Sequence, residues 1–283
     1  MTSPREGDPS GRAKEPRAGD RAPAERAFRV LAPLLVALFV LAGWEVVVRL
    51  RDIPPYILPA PSRIASELVR SWDVLGPSLL VTVRIAALAL LAAVVSGAGL
   101  ALLCSLSKWI ELSLLPYAVT LQVTPIVSVA PLVLVYVDDP LAAVVFCAWI
   151  VAFFPILANT MSGLAAVDHN LRDLFELYGA SRWQQLWLLR LPTALPYFLA
   201  GLRIAGGLAL IGAVVAEYVA GTAGAGTGLA FRVLEAQYRL NIPRMFAGLF
   251  LLALTGIGIY CGTSLLSRLL LRNWHESARV RER

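Results

Sequence analysis

Six stretches of this chain are apolar for about twenty residues or more, and no other feature constrains the fold as tightly. They run from Val30 to Leu50, Leu79 to Cys104, Leu114 to Val137, Leu141 to Leu164, Pro196 to Val219 and Met245 to Leu271. A helix of that length covers the ~30 Å of hydrocarbon in a bilayer. The runs are continuous and lack the alternation and ~10-residue length of barrel strands, so helices are expected. The third and fourth nearly touch, separated by the helix-stopping turn Val137-Asp138-Asp139-Pro140. Hydrophobic residues make up 58% of the 283 and charged ones 16%, an excess that one globular core cannot hide. Cys104, Cys147 and Cys261 are odd in number and sit in apolar runs, as small hydrophobes rather than a disulfide framework. With only two histidines beside them, no zinc donor set is expected. The fold class is therefore all-α, a multi-span membrane protein that embeds in lipid and binds no nucleic acid.

Lys and Arg orient the spans. With the N-terminus in the cytoplasm, the inner segments hold 16 of the 25 basic residues and the outer segments 7. The positive-inside bias thus puts both termini in the cytoplasm of a cell-membrane protein, mostly through the two tails. Residues 1–29 bury too little to fold and read as a solvated tail. They are no cleavable signal, because the apolar run from Val30 is longer than the usual ~7–15 residues. Residues 30–55 form a first anchor and 56–77 an outer interfacial segment. The core spans 78–268, and 269–283 is a second cytoplasmic tail. In the interfacial segment the prolines of Ile53 to Ser62 preclude helix. An amphipathic helix from Arg63 to Trp72 follows, which Ser62 is placed to cap.

The segment from Ala165 to Pro196 is too charged for a span and too long for an ordinary connection of about 2–8 residues. Its pattern is helix, break, helix. Leu171, Leu174 and Phe175 share a face, and Gly179 stands where a helix C-terminus needs positive φ. Ala180-Ser181 restart a second helix carrying Trp183, Leu186, Trp187 and Arg190, and Leu191-Pro192 ends it. A solvated connector facing only water would not carry those tryptophans, so this helix pair reads as a docking surface.

These residues resemble the cytoplasmic loop motif of binding-protein-dependent ABC importer permeases. That motif is an acidic residue and two alanines, a Gly four residues on, nine residues, Ile, any residue and Leu-Pro. The matches are Asp173, Gly179, Leu189 and Leu191-Pro192, while Leu174 and Phe175 replace the alanines and Asp replaces Glu. Gly179-Ala180-Ser181-Arg182-Trp183, Leu58 to Ser62 and Thr124-Pro125-Ile126 are also similar to the nitrate, sulfonate and taurine subfamily. The resemblance implies a type I importer permease with six transmembrane helices and an outer interfacial helix. Its partners would be a second permease copy, two ABC ATPase subunits and an extracytoplasmic substrate-binding protein. The loop 165–195 would couple to the ATPase through Asp173, Gly179, Ala180, Arg182, Leu189, Leu191 and Pro192. The solute would be a sulfonate, taurine, nitrate or similar anion, or a thiamine-precursor pyrimidine.

Nothing in the chain suggests hydrolysis. The glycine-rich stretch Gly221 to Gly228 lacks the Gly-Lys-Ser/Thr end of a phosphate loop and reads as an outer turn. His169 and His275 lie in polar segments and assemble no catalytic triad. No cofactor is expected on this chain, and ATP and magnesium belong to the partner ATPase. Within the spans, Glu45 and Arg49 are four apart and pair. Arg84 and Glu217 fall at similar depth, where they either pair as an outer gate or each snorkel to the interface. Arg203 reaches headgroups or the coupling loop. The third span, with Gln122, Thr124, Pro125, Ser128 and Pro131, is polar and proline-broken, as suits backbone lining a cavity. With Asn159 and Thr160 in the fourth span and Gly206, Gly207 and Gly212 in the fifth, it marks the expected path. Gly258 and Gly262 have small-xxx-small spacing, for packing within the chain or at a dimer seam. The rival reading is a gradient-driven secondary transporter, whose mark is discontinuous spans with buried ion ligands.

Overall fold

A computed structural model describes residues 21–221 and 226–272, all of whose regular structure is helical. The helices are α1 (Arg21–Leu50), α2 (Pro61–Arg70), α3 (Trp72–Leu106), α4 (Lys108–Val123), α5 (Ile126–Tyr136) and α6 (Pro140–Ala165). After them come α7 (His169–Leu177), α8 (Arg182–Gln185), α9 (Leu191–Ala220), α10 (Leu229–Tyr238) and α11 (Ile242–Leu271). Of these, α3, α6, α9 and α11 are each long and apolar enough to span, as is Leu31–Leu50 within α1. The pair α4–α5 passes the same test jointly but is bent by 103°.

The bundle is organised around α6 and α9, which pack antiparallel on glycine. Gly163 meets Ala194 and Tyr197, Gly201 meets Pro155 and Asn159, and Gly212 meets Ala148. Alanines dominate the rest of the core, including Ala89, Ala93, Ala152, Ala205, Ala209 and Ala213. Lipid tails are as apolar as leucine, so close backbone approach between small residues holds such helices together better than large side chains do. Many large apolar residues instead face outward, as Leu34, Phe39, Leu91 and Leu249 do, although Ile156, Leu157 and Leu199 are buried.

α3 runs parallel to α6, because Trp149 Nε1 donates to Ser96 Oγ at 2.9 Å while Gly97 faces Phe153 and Ile156. Two parallel helices need a return between them, and α4–α5 makes it as one broken crossing. The break falls at Thr124-Pro125 for a local reason. Pro125 has no N–H and pushes Thr124 out of helical geometry, to ψ 123°, while the Thr124 hydroxyl donates to Thr120 O at 2.7 Å. α11 is antiparallel to α9, with Ile259 against Gly206. Trp44 near the end of α1 lies 5.9 Å from Phe246 near the start of α11, so the start of α1 and the end of α11 share one end of the bundle.

Several boundaries differ from expectation. α1 begins at Arg21, inside the stretch read as a tail, while residues 1–20 and His275 lie outside the described residues. Ser62 does not cap α2, whose N-cap is Ala60. Ser62 N and Oγ instead donate to the Glu45 carboxylate at 3.0 and 2.7 Å, so α1 supplies the anion that the N-terminus of α2 favours. Glu45 also pairs with Arg49, as expected. Leu191-Pro192 does not end a helix. A π turn, Leu186–Arg190, joins α8 to α9, and Leu191 N donates to Leu186 O five residues back. Pro192 follows directly, and the wider π turn before it accommodates its ring and missing N–H within the continuous helix. Only part of the glycine-rich turn is described, and α10, which follows it, was not anticipated.

At the end of the bundle holding α2 and α10, an ion network ties short helices to long ones. Glu235 pairs with Arg232 at 2.7 Å and with Arg239 at 2.7 Å, and Arg244 reaches Glu67 at 3.4 Å and Ser71 at 3.0 Å. The Arg232 hydrogen bond, helped by the charges of Arg239 and Arg244, outweighs desolvation and holds the Glu235 carboxyl below its ordinary range. A carboxyl lowered by folding stabilises above its unfolded pKa, and the contribution fades as pH falls through the folded value. Protection of the α10 amides relative to intrinsic exchange should therefore fall as pH drops below the usual glutamate value of ~4.3. It should do so less in Arg232→Gln, which starts without that contribution.

Candidate functional site

The end of the bundle opposite α2 and α10 carries the segment singled out by its sequence. Asp168 caps α7, accepting from Asn170 N at 2.7 Å. Gly179 closes α7 at φ +68°, in a Schellman arrangement: Ala180 N donates to Phe175 O at 2.9 Å and Gly179 N to Glu176 O at 3.0 Å. α8 then starts in a capping box, with Ser181 Oγ accepting from Gln184 N and Gln184 Oε1 from Ser181 N. The Ser181-x-x-Gln184 spacing is readable in the sequence, and it explains why the chain restarts there. Because α8 continues through the π turn into α9, the elbow formed by α7, Gly179 and α8 is rigidly joined to a membrane-spanning helix.

The two motif leucines turn inward or sideways. Leu189 is buried, and Leu191 and Pro192 are half-buried at the root of α9. Arg190 Nη1 donates to Ser105 O at 3.3 Å, fastening that root to the end of α3. Asp173 and Arg182 are exposed, and Ala180 is half-buried. Leu177, Tyr178, Trp183, Trp187 and Leu188 are exposed, Leu177 and Tyr178 at 85% and 83%. A cavity of about 300 Å³ lies at the elbow's base, lined by Arg172, Glu176, Arg182, Gln185 and Arg190 with Ser105, Leu106 and Leu186. Five large apolar groups beside exposed charges at one end of the bundle make a surface suited to a protein partner. An added Cβ at Gly179 meets nothing within 4 Å, so only its backbone conformation resists substitution. Gly179→Ala should cost about 1 kcal/mol, as local fraying of α7 visible by hydrogen exchange, with the membrane helices unaffected.

The residues expected to line a path are divided. Gln122 and Ser128 are exposed on α4–α5, and Thr124 is half-buried at the break. Asn159 lies in the α6–α9 seam, its Nδ2 donating to Pro155 O at 2.8 Å. Arg84 and Glu217 do not pair: Arg84 is exposed, whereas Glu217 is only 4% exposed. Glu217 accepts from Thr82 Oγ1 at 2.7 Å and from Ala230 N at 2.9 Å, and Leu229 N donates to Thr82 Oγ1 at 2.8 Å. α3 and α9 together cap the start of α10. Sequence reasoning missed this because Thr82 and Glu217 are 135 positions apart and α10 went unrecognised. The available signal was Leu229, Val233 and Ala236 on one face, all buried. Among the described residues no group of three His, Cys, Asp or Glu stands close enough to hold a metal.

Comparison with known proteins agrees with this architecture. The model of a family described as binding-protein-dependent transport system inner membrane component matches residues 89–273, from within α3 to just past α11. The chain is 32% identical to the formylaminopyrimidine transport permease protein of Halalkalibacterium halodurans, over 87% of this chain and 97% of that one. It is 34% identical to the riboflavin transport system permease protein of Chloroflexus aurantiacus, over 85% and 88% of the two chains. With the putative aliphatic sulfonates transport permease protein of Bacillus subtilis the identity is 29%, over 90% and 91%. The fold is similar to that of an amino acid ABC transporter of known crystal structure, with TM-score 0.59, 18% identity, and coverage of 71% of this chain and 95% of that one. A bundle of crossing helices with a rigid elbow at one end, matched over most of its length, places the chain in the binding-protein-dependent transport system inner membrane component family, as a membrane permease of an ABC importer.

Proposed function

We propose that two copies of this chain form the path by which a small polar solute enters the cytoplasm. Two ATPase subunits grip the elbows, and an extracytoplasmic binding protein delivers the solute at the end holding α2 and α10. The elbow end, with both chain termini, faces the cytoplasm, in keeping with the excess of basic residues in those segments. The chain itself hydrolyses nothing, and ATP and magnesium are handled by the partner. Sulfonates, a pyrimidine and riboflavin appear in the relatives' names, and an anion of the sulfonate kind is the solute we favour.

The observation that carries this reading is the continuity of α8, the π turn and α9. A force applied to the exposed face of the elbow is delivered to the seam with α6 without a flexible joint. In this reading the path runs between the exposed faces of α4–α5 and of α9, with Gln122, Thr124 and Ser128 on the first and Ile204, Gly207 and Ile211 on the second. Asn159 and Glu217 hold helices together beside it, and Arg84 meets headgroups at the outer surface. The test is a double variant of exposed elbow residues, Trp183→Asp with Leu177→Asp. It should stay in the membrane with an unchanged melting temperature, lose co-purification with the ATPase, and lose ATP-dependent uptake in vesicles. Full retention of the ATPase would defeat the docking assignment, and uptake driven by an ion gradient without ATP would favour a secondary transporter. Labelling of single cysteines at the elbow from outside intact cells would reverse the orientation.

A further inference from the structure

Arg203 is an ionisable group deep in the bundle that none of these roles employs. It lies two residues beyond Gly201, which packs against Pro155 and Asn159 of α6. That places it about ten residues, or ~15 Å, from the elbow end of α6, within the hydrocarbon zone. Its Cζ stands 5.8 Å from the ring centroid of Tyr260 on α11, and its Nε is buried with no hydrogen-bond partner. One turn from Tyr260, the Ser264 hydroxyl is also buried and without a partner. The carbonyl one turn behind Ser264 is that of Tyr260, and Thr263 Oγ1 already donates to it at 3.1 Å. Two buried polar atoms without partners among the described residues thus flank Tyr260, Arg203 Nε in the guanidinium beside its ring and Ser264 Oγ one turn along α11.

Among the described residues no carboxylate pairs with this guanidinium. α6 contains no Asp, Glu, Lys, Arg or His, and the acidic residue of α9, Glu217, is fourteen positions away and engaged at the start of α10. A guanidinium at this depth is not stable against lipid tails, so the α9–α11 face that bears it borders a wet cavity or the path. An unmatched fork of N–H donors, a free hydroxyl and an aromatic face that orients the cation suit a group with several anionic oxygens. A single arginine binds such a group weakly enough to release it, as transit requires.

We infer that Arg203, Ser264 and the ring of Tyr260 form a transit site for an oxyanion headgroup, such as a sulfonate or carboxylate, on the inner half of the translocation path. This rests on the permease reading above and narrows its solute to anions. The test uses the assembled complex in phosphatidylcholine nanodiscs at constant ionic strength, titrated with ethanesulfonate and, separately, with neutral ethanesulfonamide. Ethanesulfonate should raise the permease melting temperature saturably, by about 2–4 °C at ten times its half-saturating concentration. Ethanesulfonamide should not. Arg203→Gln should abolish the shift, Arg203→Lys should retain it with at least ~3-fold weaker half-saturation, and Ser264→Ala should weaken it similarly. Equal shifts in wild type and Arg203→Gln, or with the neutral amide, overturn the site. So does a wild type that responds only when phosphatidylglycerol replaces part of the lipid, because the ligand is then a headgroup. Co-purification of the ATPase depends on the elbow and is scored in the same preparations, so failure of docking and failure of the anion site are read separately.

Discussion

Valine at Gly201 is expected to destabilise the permease by about 3 kcal/mol or more, enough to leave little folded protein in the membrane. A Cβ at this position stands 2.8 Å from the Pro155 carbonyl oxygen and 2.8 Å from Asn159 Cβ. Carbonyl oxygens of a packed helix cannot turn aside as a flexible side chain can, so α6 and α9 must separate. Separation along this seam also removes contacts among Ala152, Ala205 and Ala209 that depend on close approach. Gly212→Val should behave alike, since its Cβ would meet Ala148 Cα at 2.8 Å. Gly207→Val is the internal control, because nothing lies within 4 Å of its Cβ. The three variants share one substitution chemistry and one helix, so thermal unfolding in nanodiscs isolates the seam. Equal melting temperatures for Gly201→Val and Gly207→Val would show that the seam is looser than described. Because α9 is continuous with the elbow, milder damage here, as in Gly201→Ala, should also uncouple ATP hydrolysis from uptake.

Periodicity and span length disclosed the membrane bundle, since a run such as Leu141 to Leu164 has few other ways to exist. The elbow was legible because Gly179, Ser181 and the exposed tryptophans are local signals, each explained by its immediate neighbours. Other features were hidden for definite reasons. The continuity of α8 with α9 runs against the usual meaning of Leu-Pro, and only the π turn before Pro192 makes room for the helix to proceed. Arg84 and Glu217 fall at similar depth in a linear count, but depth does not fix azimuth. Thr82 and Arg84 point to different sides of α3, and Glu217 finds the nearer one. Ser62 offered itself as a cap by sequence adjacency, yet the chain placed Glu45 from another helix at that end. Contacts between residues far apart in the chain leave no periodic trace, which is why the capping of α10 emerged only in three dimensions.

Removing the Glu217 carboxylate is expected to release α10 from the bundle. Glu217→Ala strips the acceptor from the buried Ala230 N, at about 1–3 kcal/mol, and empties the carboxyl's volume, for roughly 3 kcal/mol in all, while the Thr82 hydroxyl falls back on Ser78 O. Glu217→Gln should cost less, about 1 kcal/mol, because Ala230 N and Leu229 N both keep their acceptors and only the second amide N–H is left over. The amide oxygen accepts from Ala230 N, and its NH2 donates to Thr82 Oγ1. The Thr82 hydroxyl then turns to Ser78 O, already 3.3 Å away, and keeps the bond from Leu229 N. Gly228→Ala should resemble Glu217→Ala, since a Cβ there coincides with the Glu217 carboxyl and must expel it. Thr82→Val keeps the shape but strands Leu229 N, for an intermediate loss of about 1–2 kcal/mol. Hydrogen exchange at Leu229 and Ala230 is the direct readout, and the expected order of protection is wild type, Gln, Val and Ala. Unchanged protection in Glu217→Ala would mean that α10 is held by apolar contacts of Leu229 and Val233 alone. If the order holds and Glu217→Gln transports normally, the carboxylate serves as a fixed clamp binding α10 to α3 and α9. The α10 end of the bundle would then move as one body with α9, the helix continuous with α8.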